Sequence, residues 1–488
     1  MKQKKIILIL LIFILSTSFV FSSNKDIFNK YGRRKNISQK MSTEKPVEFA
    51  FKEKVVIDKE WTVKFNKKIK QDDIYFISIK KDNEGIYIPI TFKIVDEKIA
   101  KIKPDAAYEY DTDYSVNIDL MNGNSYKMEF KTVTEQEQIN IDKFDYAKSS
   151  LRESMVILDY LGNDKNVEIP TMINGLAVDK IVADVFNNKG LKSIKIPNSV
   201  IFIGDRAFQG NQLKKVDLPS SLGNIGSNAF GNNSLDVIEM PNSVVTVGQE
   251  AFQFNKLEEV KLSYSLEKIE KRLFNDNKLT SIDIPYSVTS IGQEAFSENS
   301  LDSIEIGKAV KSIGADAFYK NNLTSVKIPY SVKTIGARAF YENSLTSVEI
   351  PDSVTNIGES AFYKNNLTSV KISDSVTTIE DSVFYNNSLT SVEIPDSVTN
   401  IGNAAFRENS LTSVEVPDSV NFIGDFAFQY NNLKTLEIGD SISYIGDDAF
   451  RYNDLISIDI PDSINYIGYD AFADNNLPCE EIPGGCRR

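Results

Sequence analysis

The sequence predicts a mainly β protein: a β-solenoid of 22-residue coils preceded by a small β-sandwich. Three observations predict it. Fourteen leucines, Leu191 to Leu477, recur every 22 residues without an insertion or deletion. A Phe and an Asn recur at fixed phase in all thirteen complete units, from Phe208 to Phe472 and from Asn211 to Asn475. Short runs of alternating apolar and polar residues fill both the units and the segment before them. A 22-residue unit is too small to bury its own apolar face. Stacked neighbours share one continuous core, and the array presents surfaces rather than an active-site cleft.

Each part of the coil follows from its columns, counting the leucine as column 0. Column 3 is aliphatic, as in Ile194, Val348 and Leu436, and column 5 is aliphatic or Met, as in Ile350 and Met240. They alternate with polar columns 2 and 4, the period of a half-buried strand. Pro or Gly at column 6 and Ser at column 8 punctuate its end. Columns 9 and 12 are again apolar. Gly at column 13, replaced only by Glu270 and Glu380, predicts a second turn with an unusual backbone angle. The Phe of column 17, with Phe186 one unit upstream, is expected to stack along the core. The Asn of column 20 is expected to bond backbone groups in the turn. Columns this uniform build the coil rather than select a partner.

The pattern L-x-x-[IV]-x-[IL]-P-x-S-V-x-x-I-G-x-x-A-F, running over residues 165–477, resembles the BspA-like (treponemal-type) leucine-rich repeat family. The resemblance implies a leucine-rich-repeat solenoid, a bacterial surface or secreted protein, and adhesion as a role. Many members of that family have a 23-residue unit with Cys near the position Asn takes here. The shorter unit implies a tighter turn before each Leu.

The segments before and after the array are read separately. Residues 1–23 combine Lys2, Lys4 and Lys5 with an apolar run from Ile6 to Phe21 and a small-residue exit at Ser22, and are expected to be a signal peptide. The rival reading is an uncleaved membrane anchor. No second apolar run of spanning length occurs. Residues 24–46 read as a basic linker around Arg33, Arg34 and Lys35. In residues 47–133, Trp61, Val63 and Phe65 alternate with polar residues, as do Ile86 to Ile94, Tyr114 to Leu120 and Tyr126 to Phe130. Turns such as Asn122-Gly123 separate them, which predicts a small β-sandwich. The stretches WTVKFNKKI, KIKPDAAYEYDTDYSVNI and MEFKT resemble a bacterial Ig-like (SbsA-type) domain, which implies a spacer. Residues 134–164 are read as a less patterned connector. The tail, 478–488, carries Cys479 and Cys486 on either side of a Pro-Gly-Gly turn. In an exported chain these predict a disulfide that staples a loop over the array's end; the alternative is two free thiols.

Composition excludes several functions. A net charge of −13 disfavours nucleic-acid binding. The chain has no histidine, which removes Ser–His–Asp and Cys–His catalysis and His-based zinc sites. It has no phosphate loop and no dinucleotide fingerprint. Its carboxylates follow the repeat columns, so no pair stands out for glycoside cleavage. No catalytic, cofactor or metal site is assigned, and the chain is read as a non-enzyme.

Partner-binding candidates are the places where an exposed column breaks its own monotony. Column 11 is polar through the middle of the array but becomes Phe422, Tyr444 and Tyr466 near its end. This aromatic patch reads as a binding site or as a cover for the array's end. Column 4 alternates in sign mid-array and turns acidic at Glu415, Glu437 and Asp459. Column 18 is Tyr in four successive coils, Tyr319, Tyr341, Tyr363 and Tyr385, a contact strip or the mark of a duplicated unit. Column 7 is Asp in six successive coils, Asp352 to Asp462, and reads as a solvated turn, since one carboxylate per coil is thin for calcium. These features predict a secreted or cell-surface protein with an extracellular protein or glycan ligand, bound through coils 411–477. The alternative is a structural envelope component without a host partner.

Overall fold

The computed structural model describes residues 47–65 and 67–478, which form two units, one of residues 47–162 with 170–179 and the other of residues 163–169 with 180–478. In the first, β1 (Val47–Val55), β2 (Trp61–Lys64), β3 (Ile74–Lys81), β4 (Ile86–Ile88), β5 (Ile90–Asp96), β6 (Ile99–Pro104), β7 (Asp113–Leu120) and β8 (Ser125–Thr132) make two sheets. Their orders are β1-β8-β7-β3-β4 and β2-β6-β5. The β1–β8 pair is parallel and the other pairs are antiparallel. Side chains alternate across each strand. The inward set, including Trp61, Ile79, Phe92, Ile102, Tyr114 and Phe130, closes one core between the sheets. Trp61 packs against Phe130 at 4.7 Å, and its indole N–H donates to the Tyr108 hydroxyl at 3.0 Å.

Residues 134–164 are more ordered than their composition suggests. Thr134 opens helix α1 (Glu135–Ile141) through a capping box with Glu137. A hairpin of β9 (Phe144–Lys148) and β10 (Met155–Tyr160) follows.

In the second unit each coil contributes up to two short parallel strands. The first uses columns 2–4: Ser347–Glu349 pairs with Ser369–Lys371, with Val348 buried and its polar neighbours exposed. The second uses columns 11–12: Asn356–Ile357 follows Thr334–Ile335, Ile against Ile. The column 17 rings are buried and nearly parallel from Phe186 to Phe472, with centroids 5.1 to 5.9 Å apart. The column 20 Asn closes the coil. The Asn365 Oδ1 accepts the Leu345 N–H at 3.1 Å, and its Nδ2 donates to the Phe340 carbonyl at 2.9 Å and the Phe362 carbonyl at 3.1 Å.

The glycine column works differently from the sequence expectation. Among its glycines none has a positive φ; left-handed backbone falls instead at columns 15 and 19, as at Ser360 (57°) and Lys364 (53°). Column 13 needs glycine for proximity. A Cβ on Gly358 would lie 2.4 Å from the Ala337 nitrogen of the preceding coil.

Candidate partner-binding surfaces

In-register parallel pairing brings equal columns of neighbouring coils within stacking distance. Strands Phe422–Ile423, Tyr444–Ile445 and Tyr466–Ile467 pair in this way. Their aromatics stack at 4.8 and 4.7 Å, within 13° of parallel. Phe422 and Tyr444 are half-buried, and Tyr466 is 47% exposed. Burial raises the Tyr444 hydroxyl above its usual range, helped by the negative charges of Asp425 and Asp447. The Tyr466 hydroxyl lies 3.5 Å from Asp447 Oδ1.

The acidic column stands on the other ladder of the same coils. Glu415 and Glu437 are exposed and directly opposed on strands Ser413–Val416 and Thr435–Ile438. With Asp396 and Asp418 they line a groove of about 450 Å³; Asp459 is exposed one coil further on. The turn closed by the Val420 N–H on the Pro417 carbonyl separates this ladder from the aromatics. The carboxylates beside the aromatic stack are therefore Asp425 and Asp447 of column 14, outside the columns singled out from the sequence.

Tyr319, Tyr341, Tyr363 and Tyr385 do form a continuous ladder, with centroids 5.2, 4.8 and 4.4 Å apart. All four are half-buried. Their faces are largely occupied within the chain. Lys320 sits over Tyr319, Lys364 over Tyr341 and Tyr363, and Arg407 over Tyr385. The Tyr385 hydroxyl donates to Glu408 at 3.0 Å; burial first, then that bond, pushes it up to about 12. The first three tyrosines border a groove of about 700 Å³ that also holds Arg272 and Arg338. Both guanidinium groups are forked onto carboxylates of adjacent coils, Arg272 on Glu294 and Arg338 on Asp316.

A second aromatic stack lies outside the columns singled out from the sequence. Tyr430 and Tyr452, of column 19, lie 4.5 Å apart and nearly parallel, 43% and 37% exposed. Arg407 covers Phe426 and Tyr430, and Arg451 covers Tyr452. The available signal was that column 19 is polar mid-array, as in Glu342, Lys364 and Asn386, and turns aromatic in two of the three coils where column 11 does.

The Asp row of column 7 staples turns: Asp418 Oδ1 accepts the Asp440 N–H at 2.9 Å. Among the described residues no group of three or more acidic or sulfur ligands is arranged for a metal ion. No helix among them is long and apolar enough to cross a membrane. The expected signal peptide and basic linker, and Cys479 and Cys486, lie outside the described residues.

A repeat core of stacked phenylalanines, closed by an asparagine in every coil and preceded by an Ig-like sandwich, defines a leucine-rich-repeat solenoid protein. The family profile described as BspA type Leucine rich repeat region (6 copies) matches residues 179–302, 289–410 and 377–487, and the chain belongs to that family. The Bacterial Ig-like domain profile matches residues 41–132. Among solved structures, the chain is similar to a leucine rich cell surface protein from Faecalibacterium prausnitzii A2-165. The identity is 26%, over 60% of this chain and 93% of that one, with a TM-score of 0.40. It is similar also to a leucine-rich repeat protein from Bacteroides ovatus ATCC 8483 (24%, 68% and 91%, TM-score 0.44). A third is the pneumococcal vaccine antigen PcpA (20%, 69% and 96%, TM-score 0.44). No curated protein matches the chain.

Proposed function

We propose that the chain is a secreted or cell-surface protein that binds an extracellular macromolecule, in adhesion to host or neighbouring-cell proteins, through its carboxy-terminal coils, 411–477. The observation that carries this reading is the stack of Phe422, Tyr444 and Tyr466 beside Asp425 and Asp447, with an acidic ladder of Glu415 and Glu437 on the same coils. Aromatic rings supply large contact area at low entropic cost. Acidic neighbours favour a partner surface rich in Lys or Arg and speed its encounter. Membership in the BspA-type family and an Ig-like spacer support display outside the cell.

The test replaces all three aromatics with Thr, a common residue in that column. Beads coated with the purified chain are then measured for adherence to a cultured cell layer. The variant is expected to keep its circular dichroism and lose adherence, and raised salt is expected to slow association of the parent chain. Unfolding of the variant would make the aromatics a structural cap. A folded variant that adheres normally would move the site elsewhere. Fractionation of the producing cell into medium, wall and membrane tests the location independently.

A further inference from the structure

Two coils depart from the array at the same three columns. In the coils that begin at Leu257 and Leu367, Ser263 and Ser373 replace the Pro or Gly of column 6. Glu270 and Glu380 replace the Gly of column 13, and Leu273 and Val383 replace the Ala of column 16. The two sets stand 110 residues apart, five coils.

The geometry changes at both. Elsewhere the column 13 N–H donates to the column 12 carbonyl of the preceding coil, as from Gly248 to Ile225 and from Gly402 to Ile379. The column 10 N–H makes a matching bond, as from Val245 to Gly223 and from Thr399 to Thr377. Neither bond forms at Glu270 and Glu267, or at Glu380 and Thr377, among the described residues. The column 11–12 sheet accordingly ends after Thr246–Val247 and restarts at Lys268–Ile269. It ends again after Asn356–Ile357 and restarts at Thr378–Ile379. The cause is steric. A Cβ on Gly248 would lie 2.4 Å from the Ser227 nitrogen of the coil before it, and Glu270 and Glu380 carry that Cβ. The coils part there, and the two widest steps in the phenylalanine stack are Phe252–Phe274 at 5.9 Å and Phe362–Phe384 at 5.8 Å.

The other two substitutions fit the gap. Leu273 and Val383 are fully buried and add the volume that Ala lacks. Ser263 Oγ donates to the Val244 carbonyl, and Ser373 Oγ to the Val354 carbonyl, each at 2.7 Å. Elsewhere a column 8 Ser makes that bond, as from Ser287 to Leu266. The remaining sides stay joined. Glu250 and Phe252 donate to Lys271 and Leu273, Ser360 and Phe362 to Asp381 and Val383, and the column 2–4 strands pair across both places.

We infer that these are built hinge seams, which divide the array into three blocks and open before any coil within a block. An array's stability is a sum of coil and interface terms, so the interfaces that lack the column 10 and column 13 bonds and have the widest ring spacing open first. In a chain displayed outside a cell, the seams would yield to tension while the coils bearing the carboxy-terminal aromatics stay closed.

Native-state hydrogen exchange tests this on the unaltered chain. The amides bonded across the seams, Glu250, Phe252, Ser360 and Phe362, are expected to exchange about tenfold or more faster than their counterparts inside blocks, Glu294, Phe296, Ala404 and Phe406. Equal protection would overturn the inference. Pulling single molecules is expected to release the middle block in one step of 110 residues, about 400 Å at about 3.6 Å per residue. A variant carrying S263P, E270G, L273A, S373P, E380G and V383A is expected to lose that step and equalise the exchange. Should that variant fail to fold, exchange in the unaltered chain still decides. Force steps of the same size in the folded variant would overturn the proposal.

Discussion

Replacing Asn365 with Ala tests whether one side chain per coil holds the stack together. Asn365 is 5% exposed. Its amide satisfies three buried backbone groups: the Leu345 N–H and the Phe340 and Phe362 carbonyls. The Ala variant leaves all three without that partner. A buried orphan costs about 1–3 kcal/mol, so with partial relaxation or water entry the loss is about 3–6 kcal/mol. Asn365→Asp is the sharper variant, because it keeps the shape and the acceptor but loses both N–H donors. Its carboxylate would face two carbonyls in a buried site, which favours the protonated form. The variant is therefore expected to be destabilised at neutral pH and partly restored as pH falls, when one O–H donor returns. Repeat arrays need not unfold in one step. The assay is therefore urea unfolding together with exchange of the Leu345 amide, which reports the local interface. An Ala variant within about 1 kcal/mol of the parent, with the Leu345 amide still protected, would refute the network.

Two further predictions follow from packing and burial. Phe362→Ala removes a fully buried ring from between Phe340 and Phe384 and is expected to cost about 3–5 kcal/mol. Deleting the whole unit 345–366 should cost less in urea unfolding, because the neighbours are nearly equivalent; a silent Phe change with an unfolding deletion would mean the columns are misassigned. In the first unit, burial pushes the Lys59 ammonium down to about 7, with Lys52 adding to the shift. Between about 7 and the unfolded value of 10.5 the unfolded chain binds the extra proton, so stability rises with pH across that window. Lys59→Met should raise the melting temperature most near pH 7 and less toward pH 10.5, and a gain independent of pH would contradict the burial argument.

The coil was legible in the sequence because its register never slips. An unbroken 22-residue period fixes which residues repeat, and alternation at columns 2–5 fixes which face inward. What the sequence hid is what each residue meets in the next coil. A glycine column announces a missing side chain but not the obstacle, and here the obstacle is backbone from the preceding unit rather than a local φ. The left-handed columns were invisible for the opposite reason. Arg338, Phe426 and Tyr452 occupy them, residues that do not signal such backbone, and bonding between coils holds them there. The connector was legible in part, since Thr134 and Glu137 spell a capping box.

The same geometry weakens any argument from a ladder alone. Any run of similar residues in one column becomes a stack about 5 Å apart, whether or not a partner uses it. What separates the candidates is how much of each surface the chain already occupies. The faces of Tyr319, Tyr341, Tyr363 and Tyr385 carry Lys320, Lys364 and Arg407, and Arg407 and Arg451 cover Tyr430 and Tyr452. Among the described residues no cation lies over Phe422, Tyr444 or Tyr466, and the carboxylates nearest them are Asp425 and Asp447. An aromatic surface with acidic neighbours and no cation of its own is complementary to a partner that brings one, because Arg and Lys gain from both the ring face and the carboxylate. On that criterion we propose the column 11 stack, rather than the tyrosine ladder, as the docking surface.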